Sequence, residues 1–541
     1  MAVEDDDTTQ LRRDGLYVQQ LKESVFEAGL LGATLVGIVS LLVLFGYITF
    51  DAFRPLTASA QWYLLYFGTL VTPTAAFTLY ARRRPAVQAT SGKTFAAVIG
   101  GTMLALVTYM VADSVSPYDI LVFALFGSVP PCLVYAYARA TDDRTYAGPA
   151  VPVAVLVGIV GGAVSYDVVR PLVGILAEWL AYLGFVTVPM AGVVGLLVAR
   201  RRSRRSGFFA AVGVVGFAVA AAVVTLAVGF NPAFPVVFIS AAVVPVGYVV
   251  GTATLTRTEG RTGVIGPFVP IGGIVVGAVL ERQLTIQGLE GYLTPTLLMN
   301  SWDGLNASNA GVYPQIVGSI VIVGFMMVLA FPLGIGAAIY LEEYAPVSGW
   351  GGRFATLLEV NISNLAGVPS VVYGLLGLAL FRNTLGFGTG IVFSAAGTLG
   401  LLILPIVVVS TQEAIRSVPD SLRQASYGMG ASRWQTLRNV VLPEAIPGTL
   451  TGTILSLARA IGETAPLVII AVATTTYSPP EGLFSSASAL PLQIFAARSS
   501  AMAEFREGVV PATAVVLLAL MLLMNATAII VRNRYDSELQ S

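Results

Sequence analysis

Apolar runs about twenty residues long recur along the whole chain and constrain its fold more than any other feature. Each run can cross a hydrocarbon layer about 30 Å thick as a helix. Of the 541 residues, 56% are hydrophobic and only 11% are charged, which excludes a water-soluble globular protein. We therefore predict an all-α polytopic membrane protein. About fourteen spans are expected, near residues 27–49, 61–80, 94–112, 119–138, 151–166, 178–199, 208–228, 234–254, 265–280, 314–337, 362–381, 389–410, 446–473 and 509–531.

Several classes of chemistry are excluded by residues that the chain lacks. It has no histidine and one cysteine, Cys132, so it offers no internal disulfide, no set of metal ligands and no catalysis that needs an imidazole. The sequence SGKT at 91–94 is like the end of a phosphate-binding loop. However, the position five residues before Gly92 is Val87 instead of glycine, and an apolar span follows. We expect no metal, cofactor or ATP site in this chain, and no nucleic-acid partner.

The first half of the chain, residues 26–258, is predicted to hold two tandem copies of a four-helix unit. Matching positions lie 114 to 118 residues apart: Asp51, Arg54 and Pro55 with Asp167, Arg170 and Pro171; Trp62 with Trp179; Arg82–Arg84 with Arg200–Arg202; Phe95–Val98 with Phe209–Val212; and Val129-Pro130 with Val244-Pro245. Because each copy crosses the membrane an even number of times, the repeats would be parallel. The two Asp-x-x-Arg motifs are interpreted as solvated ion pairs at outer helix ends and not as ligand sites.

The distribution of basic residues predicts the orientation of the chain. Residues 1–25 are polar and lack a small-residue cleavage site, so we expect a cytoplasmic tail and no signal peptide. With the N-terminus inside, 23 of the 30 basic residues are cytoplasmic and Arg459 lies within the membrane. Both termini are therefore expected in the cytoplasm of a cell with this protein in its plasma membrane. The six outer arginines would be Arg54, Arg170, Arg282, Arg382, Arg498 and Arg506.

A polar stretch at 411–446 interrupts the apolar second half and is predicted to form two short amphipathic helices. Asp420 stands near the start of the first helix, and Ser432 and Gln435 have capping-box spacing at the start of the second. Pro443 is expected to end the second helix. Such a pair of helices at a membrane surface suggests a docking platform for a partner, although an ordinary loop lying on lipid headgroups is an alternative.

The next segment carries two charged residues at membrane depth. If Pro447 opens this helix, Arg459 lies about 18 Å and Glu463 about 24 Å along it. Charges at this depth are tolerated when they face a protein interior or a wet pathway. A stripe of small and polar residues shares their face: Thr449, Gly452, Ser456, Arg459, Glu463 and Pro466. We predict that the stripe lines a translocation path. The alternative is an Arg459–Glu463 ion pair that only holds helices together.

The polar stretch resembles the cytoplasmic coupling loop of ABC importer permeases. That loop has a Glu-Ala-Ala triplet, a glycine after three residues and an Ile-x-Leu-Pro end. The matching residues in this chain are Gln424, Ala425, Ser426, Gly430, Val440, Leu442 and Pro443. Gln424 replaces the family's glutamate, Ser426 an alanine and Val440 an isoleucine, so an ionic contact at the first of these positions is not expected.

Sequences within and on both sides of this loop narrow the resemblance to one type of ABC importer permease. GVPSVVYGLLGLALF at 367–381, the Arg433-Trp434 pair and LARAIGETAPL at 457–467 resemble the permease subunit of phosphate ABC importers, the PstA type, over residues 264–541. The resemblance implies a six-helix, MetI-like permease domain that moves phosphate and is not itself an enzyme. It implicates Arg459 and Glu463 in phosphate passage. It also implies four kinds of partner: a second homologous permease, a dimer of ATPase subunits that bind ATP, an extracellular phosphate-binding protein, and membrane lipids.

Some alternatives stay open at this point. The substrate could be another oxyanion such as tungstate or molybdate, and the chain could instead be a membrane sensor or scaffold that reports phosphate status. The eight-helix region at 26–258 could be a stabilising collar, an interface for lipids or partners, or dispensable. The outer loops at 282–312 and 474–508 are expected to face the binding protein. A polar cluster of Asn361, Ser363, Asn364 and Ser370 could line the path or pack helices.

Overall fold

The named secondary structure is entirely helical in the part of the chain that the computed structural model describes, which is residues 4–114, 116–140, 154, 157, 158, 161, 165–256, 260–346 and 348–539. Twelve helices there are long and apolar enough to cross a membrane, and one sharply bent pair makes a thirteenth candidate. These helices confirm the all-α membrane class. The predicted span at 151–166 lies mostly outside the described residues.

The first half begins with α1, which continues without a break from the polar tail into the first span. The tail is thus helical from Glu4 onward. The helices of this half are α1 Glu4–Phe53, α2 Ala60–Tyr66, α3 Thr72–Arg82, α4 Pro85–Ser114, α5 Pro117–Ala140, α6 Tyr166–Val173, α7 Glu178–Tyr182, α8 Val188–Arg201, α9 Arg204–Ala227, α10 Ala233–Phe238 and α11 Val244–Thr256. The SGKT sequence lies inside α4, where Thr94 is buried, so it forms no phosphate-binding loop.

Wide π-helical turns join several of these helices into longer spans. Phe67–Val71 joins α2 to α3, and Leu183–Thr187 joins α7 to α8, at the same place in the two proposed repeats. In each case a proline, Pro73 or Pro189, stands two residues after the turn. Proline has no N–H to donate and its ring crowds the carbonyl four residues earlier, and a π turn relieves that conflict without ending the helix. The matching turns are consistent with a duplication, which stays a prediction.

The second half contains the permease-like helices. They are α12 Phe268–Gln283, α13 Pro295–Met299, α14 Tyr313–Ile339, α15 Gly349–Ala366, α16 Ser370–Gly377, α17 Val392–Arg416, α18 Asp420–Gly428, α19 Arg433–Thr436, α20 Leu442–Gly462, α21 Ala465–Ile469, α22 Leu490–Arg498 and α23 Val510–Leu539. Helices α14, α17, α20 and α23 pack side by side in that order, and α1 covers the far side of α23. The largest hydrophobic core lies mainly among α14, α17 and the segments that follow α20.

Two predicted spans are broken in the structure. The span expected at 362–381 is divided by a bend of 113° between α15 and α16. The break contains Pro369, and the residue before a proline is disfavoured in helical conformation. The polar cluster predicted there flanks the break, with Asn361, Ser363 and Asn364 before it and Ser370 after it. The span expected at 446–473 likewise ends early, because α20 stops at Gly462.

The first half is docked onto the second through α12. Gly273 and Gly277 let α12 approach the π turn after α2 so closely that a Cβ on Gly273 would lie 2.4 Å from the carbonyl oxygen of Thr69. The Tyr66 hydroxyl donates a hydrogen bond of 2.9 Å to Glu281. Small residues spaced four apart are a common means of close packing between membrane helices. The first half of the chain is therefore built against α12 of the second half.

The first Asp-x-x-Arg motif takes part in the same docking. Arg54 is half-buried, has a φ of +46°, and lies over the ring of Tyr292 at 4.9 Å from its centroid. Thr57 accepts a 2.9 Å hydrogen bond from the Glu290 amide, in the same segment as Tyr292. The interpretation of this motif as a solvated ion pair was therefore wrong for the first copy. In the second copy, the side chain of Asp167 lies outside the described residues.

Replacing Gly273 by leucine should separate the two halves. Because the contacted atoms belong to the backbone of the Thr69 turn, they cannot give way as a flexible side chain would, and we expect a loss of about 1–3 kcal/mol or more in stability. The measurement is the thermal unfolding temperature in detergent. Gly272→Leu is the control, because a Cβ at Gly272 would meet nothing within 4 Å. Equal unfolding temperatures for the two variants would contradict this docking geometry.

Candidate functional site

The polar stretch at 411–446 forms a tight helical turn, as predicted. Helix α18 begins after Pro419 with Asp420 in its first turn. Gly430 then reverses the chain with a φ of +81°, a conformation that glycine adopts without strain. Ser432 and Gln435 form the predicted capping box, with each side chain bonded to the other residue's backbone amide at 3.3 and 2.8 Å.

The inner side of this turn is packed against the end of α17. Ser426 and Thr436 are both buried and their hydroxyls lie 2.9 Å apart, so Ser426 joins α18 to α19. Leu437 and Val441 are fully buried in a small hydrophobic cluster with Ile415. Serine at the position where the family has alanine thus has a structural role in this chain.

The outer side of the turn is apolar and exposed. Gln424 and Ala425 are exposed, Met429 is 83% exposed and Trp434 is 55% exposed. Helical spacing places Trp434 on the same face as Leu437 and Val441, but only the last two are buried. A tip of this kind, with bulky apolar side chains pointing outward, has the composition of an interface core. We call Leu422, Gln424, Ala425, Tyr427, Met429, Gly430 and Trp434 the coupling tip.

The second helix of the turn does not end at Pro443. Helix α19, the π turn Leu437–Val441 and α20 form one uninterrupted helical segment of 30 residues, Arg433–Gly462. Val440, Leu442 and Pro443 are half-buried within it. Pro447 lies inside α20 and does not open it. The expectations for both prolines were therefore wrong, because a π turn accommodates the first and the helix continues through the second.

Arg459 and Glu463, both predicted to line the path, form an ion pair at the end of α20. The Arg459 Nε lies 3.2 Å from Oε1 of Glu463, and the two side chains are 46% and 17% exposed. Glu463 itself has left the helix, with extended backbone dihedrals, and the chain turns into α21 two residues later. The pair is thus half-open and lies beside non-helical backbone. Such backbone occurs at membrane depth only where protein or water covers it.

Two further residues of the predicted path stripe lie elsewhere. Thr449 and Ser456 are buried within the chain, and Ser456 donates its hydroxyl hydrogen to the carbonyl oxygen of Gly452 at 2.8 Å. A Cβ on Gly452 would lie 2.4 Å from the side chain of Ser410, which shows that this part of the stripe packs against α17. The structure therefore brings Arg459 and Glu463 together but leaves Thr449 and Ser456 in a helix contact.

The two helix breaks of the second half are neighbours. Helix α16, which follows the 113° bend, packs against α21, which follows the end of α20. A Cβ on Gly374 would lie 2.9 Å from the Cα of Pro466, so the two segments approach each other as closely as their backbones allow. The Arg459–Glu463 pair therefore belongs to a region in which two membrane segments are interrupted.

A group of ionic contacts at the end of the α14 segment was not predicted from the sequence. Glu342 and Glu343, at the end of the α14 segment, contact Arg416 and Arg423 respectively. The partners lie 74 and 80 residues apart along the chain, so no local spacing pattern reveals them. The signal available was only two adjacent glutamates that close an apolar span.

Comparison with known proteins assigns the second half to a family. The family described as "Binding-protein-dependent transport system inner membrane component" matches residues 330–538, which include the coupling tip, Arg459 and Glu463. The "Probable ABC transporter permease protein YqgI" of Bacillus subtilis is 34% identical over 235 residues, covering 41% of this chain and 78% of the relative. The chain belongs to this permease family. Residues 1–329 lie outside the family match.

Further relatives of this permease carry phosphate transport in their names. The "Phosphate transport system permease protein PstA 1" of Mycobacterium tuberculosis strain CDC 1551 is 43% identical over 160 residues, 30% of this chain and 51% of the relative. The permease thus spans about half the length of that relative. Among solved structures, the MetNI methionine ABC transporter in an inward-facing conformation aligns with a TM-score of 0.31 and 19% identity, covering 42% of this chain and 94% of that one.

Proposed function

We propose that this chain is the transmembrane permease subunit of an ATP-driven phosphate importer. The observation that carries the proposal is the half-open Arg459–Glu463 pair at the interrupted end of α20, inside the region that matches the permease family. The names of the PstA relatives support phosphate as the cargo. The chain would form the path and break no bonds itself.

The chemistry of the pair suits a tetrahedral oxyanion. A guanidinium presents N–H groups as a planar fork and can donate two parallel hydrogen bonds to phosphate oxygens. Glu463 accepts from Nε of Arg459, whereas the terminal amino groups make no hydrogen bond to any described residue. Those groups are available to an anion. The adjacent carboxylate repels the same anion and would keep the site from holding phosphate too tightly for release.

The open side of α20 argues for a second permease. Leu455 is exposed on the same side as Arg459, and Gly462 is exposed at the helix end. A charged group and non-helical backbone at this depth must be covered by protein or water. A second homologous permease facing α20 would enclose the path between the two chains. Lipids would then cover the outward side of α1, whose apolar residues are exposed along the whole span.

The coupling tip would receive the ATPase dimer, which binds and hydrolyses ATP in place of this chain. Because α19 and α20 form one helical segment about 45 Å long, a push on the tip is transmitted directly to the helix that carries Arg459. Closure of the ATPases would thereby reorient the path in alternating access. The bias of basic residues favours a cytoplasmic tip and cytoplasmic termini. A phosphate-binding protein would deliver cargo to the opposite side.

Phosphate uptake tests the proposal directly. In cells that lack this gene, uptake of trace radiolabelled phosphate should be restored by the wild-type chain, and equal concentrations of tungstate, molybdate or sulfate should not displace it. If tungstate or molybdate displaced the labelled phosphate, we would assign that oxyanion as the cargo in place of phosphate. Uptake that does not depend on the gene would overturn the transport proposal and favour the sensor or scaffold alternative.

A further inference from the structure

The π turn Tyr340–Tyr344 at the end of the α14 segment carries two adjacent glutamates that reach different helices. Glu343 is ion-paired with Arg423 of α18, and the two side chains are only 13% and 17% exposed. Arg423 also donates a 2.8 Å hydrogen bond to the carbonyl oxygen of Ile415, near the end of α17. One arginine therefore ties the coupling-tip helix α18 to both α14 and α17.

Glu342 makes the second set of contacts. Its Oε1 lies 2.6 Å from the guanidinium of Arg416 and accepts a 3.0 Å hydrogen bond from Gln412, both on α17. Arg416 is also ion-paired with Glu359 of α15. The four helices α14, α15, α17 and α18 thus meet at one connected set of charges. We call Glu342, Glu343, Glu359, Gln412, Arg416 and Arg423 the ionic clamp.

The clamp supplies a connection that the backbone does not provide. The chain links α18 to α17 only through the short segment 417–419, which does not by itself hold two helices at one angle. The other half of the coupling tip, α19, continues into α20 and moves with it. The Glu343–Arg423 pair is mostly buried, so its geometry is strongly maintained while both partners are present, whereas Arg416 and Glu359 are 55% and 43% exposed and hold their helices less firmly.

We propose that the Glu343–Arg423 pair, supported by Glu342–Arg416, positions α18 so that displacement of the coupling tip moves α14 and α17 together with α20. These residues contact neither the cargo nor ATP and act by holding helices in register. The inference rests on the proposed function, since it assigns to the clamp the tightness of coupling between ATP hydrolysis and transport. Without the clamp, α18 would lose its charged contacts with α14 and α17, and less of the tip's displacement would reach α14.

The test uses the complete transporter in sealed vesicles and measures cargo uptake and ATP hydrolysis in the same sample. For Glu343→Gln we expect ATP hydrolysis to persist while the uptake per ATP hydrolysed falls at least about fivefold, the lower end of typical coupling between sites. The charge swap Glu343→Arg with Arg423→Glu should restore part of the ratio, because it recovers the ion pair but not the hydrogen bond that Arg423 donates to Ile415. Glu413→Gln, which changes an exposed glutamate on α17, is the matched control and should leave the ratio unchanged.

A second measurement does not depend on the identity of the cargo. Hydrogen exchange of the wild-type complex should change on ATP addition both in α18 and in the Tyr340–Tyr344 turn, whereas Glu343→Gln should change in α18 alone. A Glu343→Gln variant with an unaltered uptake ratio, or with both segments still responding together, would overturn the clamp. So would a parallel loss of uptake and hydrolysis with lowered thermal stability, which indicates a purely structural role. Wild-type vesicles that take up no phosphate would overturn the cargo proposal, and the exchange measurement would still decide the clamp.

Discussion

Replacing Arg459 by alanine should lower phosphate uptake about 100-fold while the chain remains in the membrane at its normal level. The guanidinium offers two hydrogen bonds to the anion, and bonds to charged groups contribute about 1.5–3 kcal/mol each. Without these two bonds, the site no longer offsets the free energy of hydration that phosphate loses when it leaves water. The measurement is the initial rate of uptake of radiolabelled phosphate in cells that lack the wild-type gene, with the amount of each variant determined in isolated membranes.

Two controls separate the path from helix packing. Arg459→Lys keeps the positive charge but loses the planar fork, so uptake should be intermediate. Arg282→Ala removes an exposed arginine from α12, which packs against the first half, and should leave uptake unchanged. If the double variant Arg459→Ala with Glu463→Gln transported phosphate normally, the path hypothesis would be wrong. The ion pair would then serve only to hold α20 in place.

Glutamates at the coupling tip should abolish transport because they weaken binding of the ATPase subunits. Changing Met429 and Trp434 to glutamate places two charges on the most exposed apolar side chains of the tip. Buried aromatic and apolar anchors in interfaces contribute about 2 kcal/mol or more each, so the ATPase subunits should bind at least about 30-fold more weakly. The measurement is the amount of ATPase that copurifies with the tagged permease, together with phosphate uptake in the same cells.

The same chemical change elsewhere on the surface is the control for this effect. Leu305 is 77% exposed in the segment between α13 and α14, far along the chain from the coupling tip, so Leu305→Glu should copurify the normal amount of ATPase. Because Met429 and Trp434 are exposed and bury little within the chain, their substitution should not lower the unfolding temperature. Normal copurification of the ATPase with the double variant would show that the tip is not the docking site.

The membrane class and the position of most spans could be predicted from the sequence because both depend on local hydropathy. The capping box at Ser432 and the reversal at Gly430 were predictable for the same reason, since each depends on residues within one turn. The prolines were harder to interpret. Pro443 follows a π turn in an uninterrupted helix, whereas Pro369 stands at a sharp break, and the residue type alone does not distinguish these outcomes.

The placement of the candidate path residues shows a second limit. Thr449, Ser456 and Arg459 share a polar pattern in the sequence, and helical spacing places them on related faces. Yet Thr449 and Ser456 are buried, Gly452 between them packs against Ser410 of α17, and Arg459 stays open. A periodic pattern identifies a stripe, but it does not say which neighbouring helix covers which part of it.

The membrane class, the family resemblance, the coupling-loop motif and the two charges at membrane depth all follow from the order of the residues alone. The connections between these parts emerge only in the folded chain: α20 continues the coupling tip, the first half docks onto α12, and the ionic clamp joins four helices. The difference lies in the distance along the chain over which each interaction acts. Hydropathy and capping act between residues a few positions apart, whereas Glu343 and Arg423 are 80 positions apart and become partners only when α14 and α18 pack together.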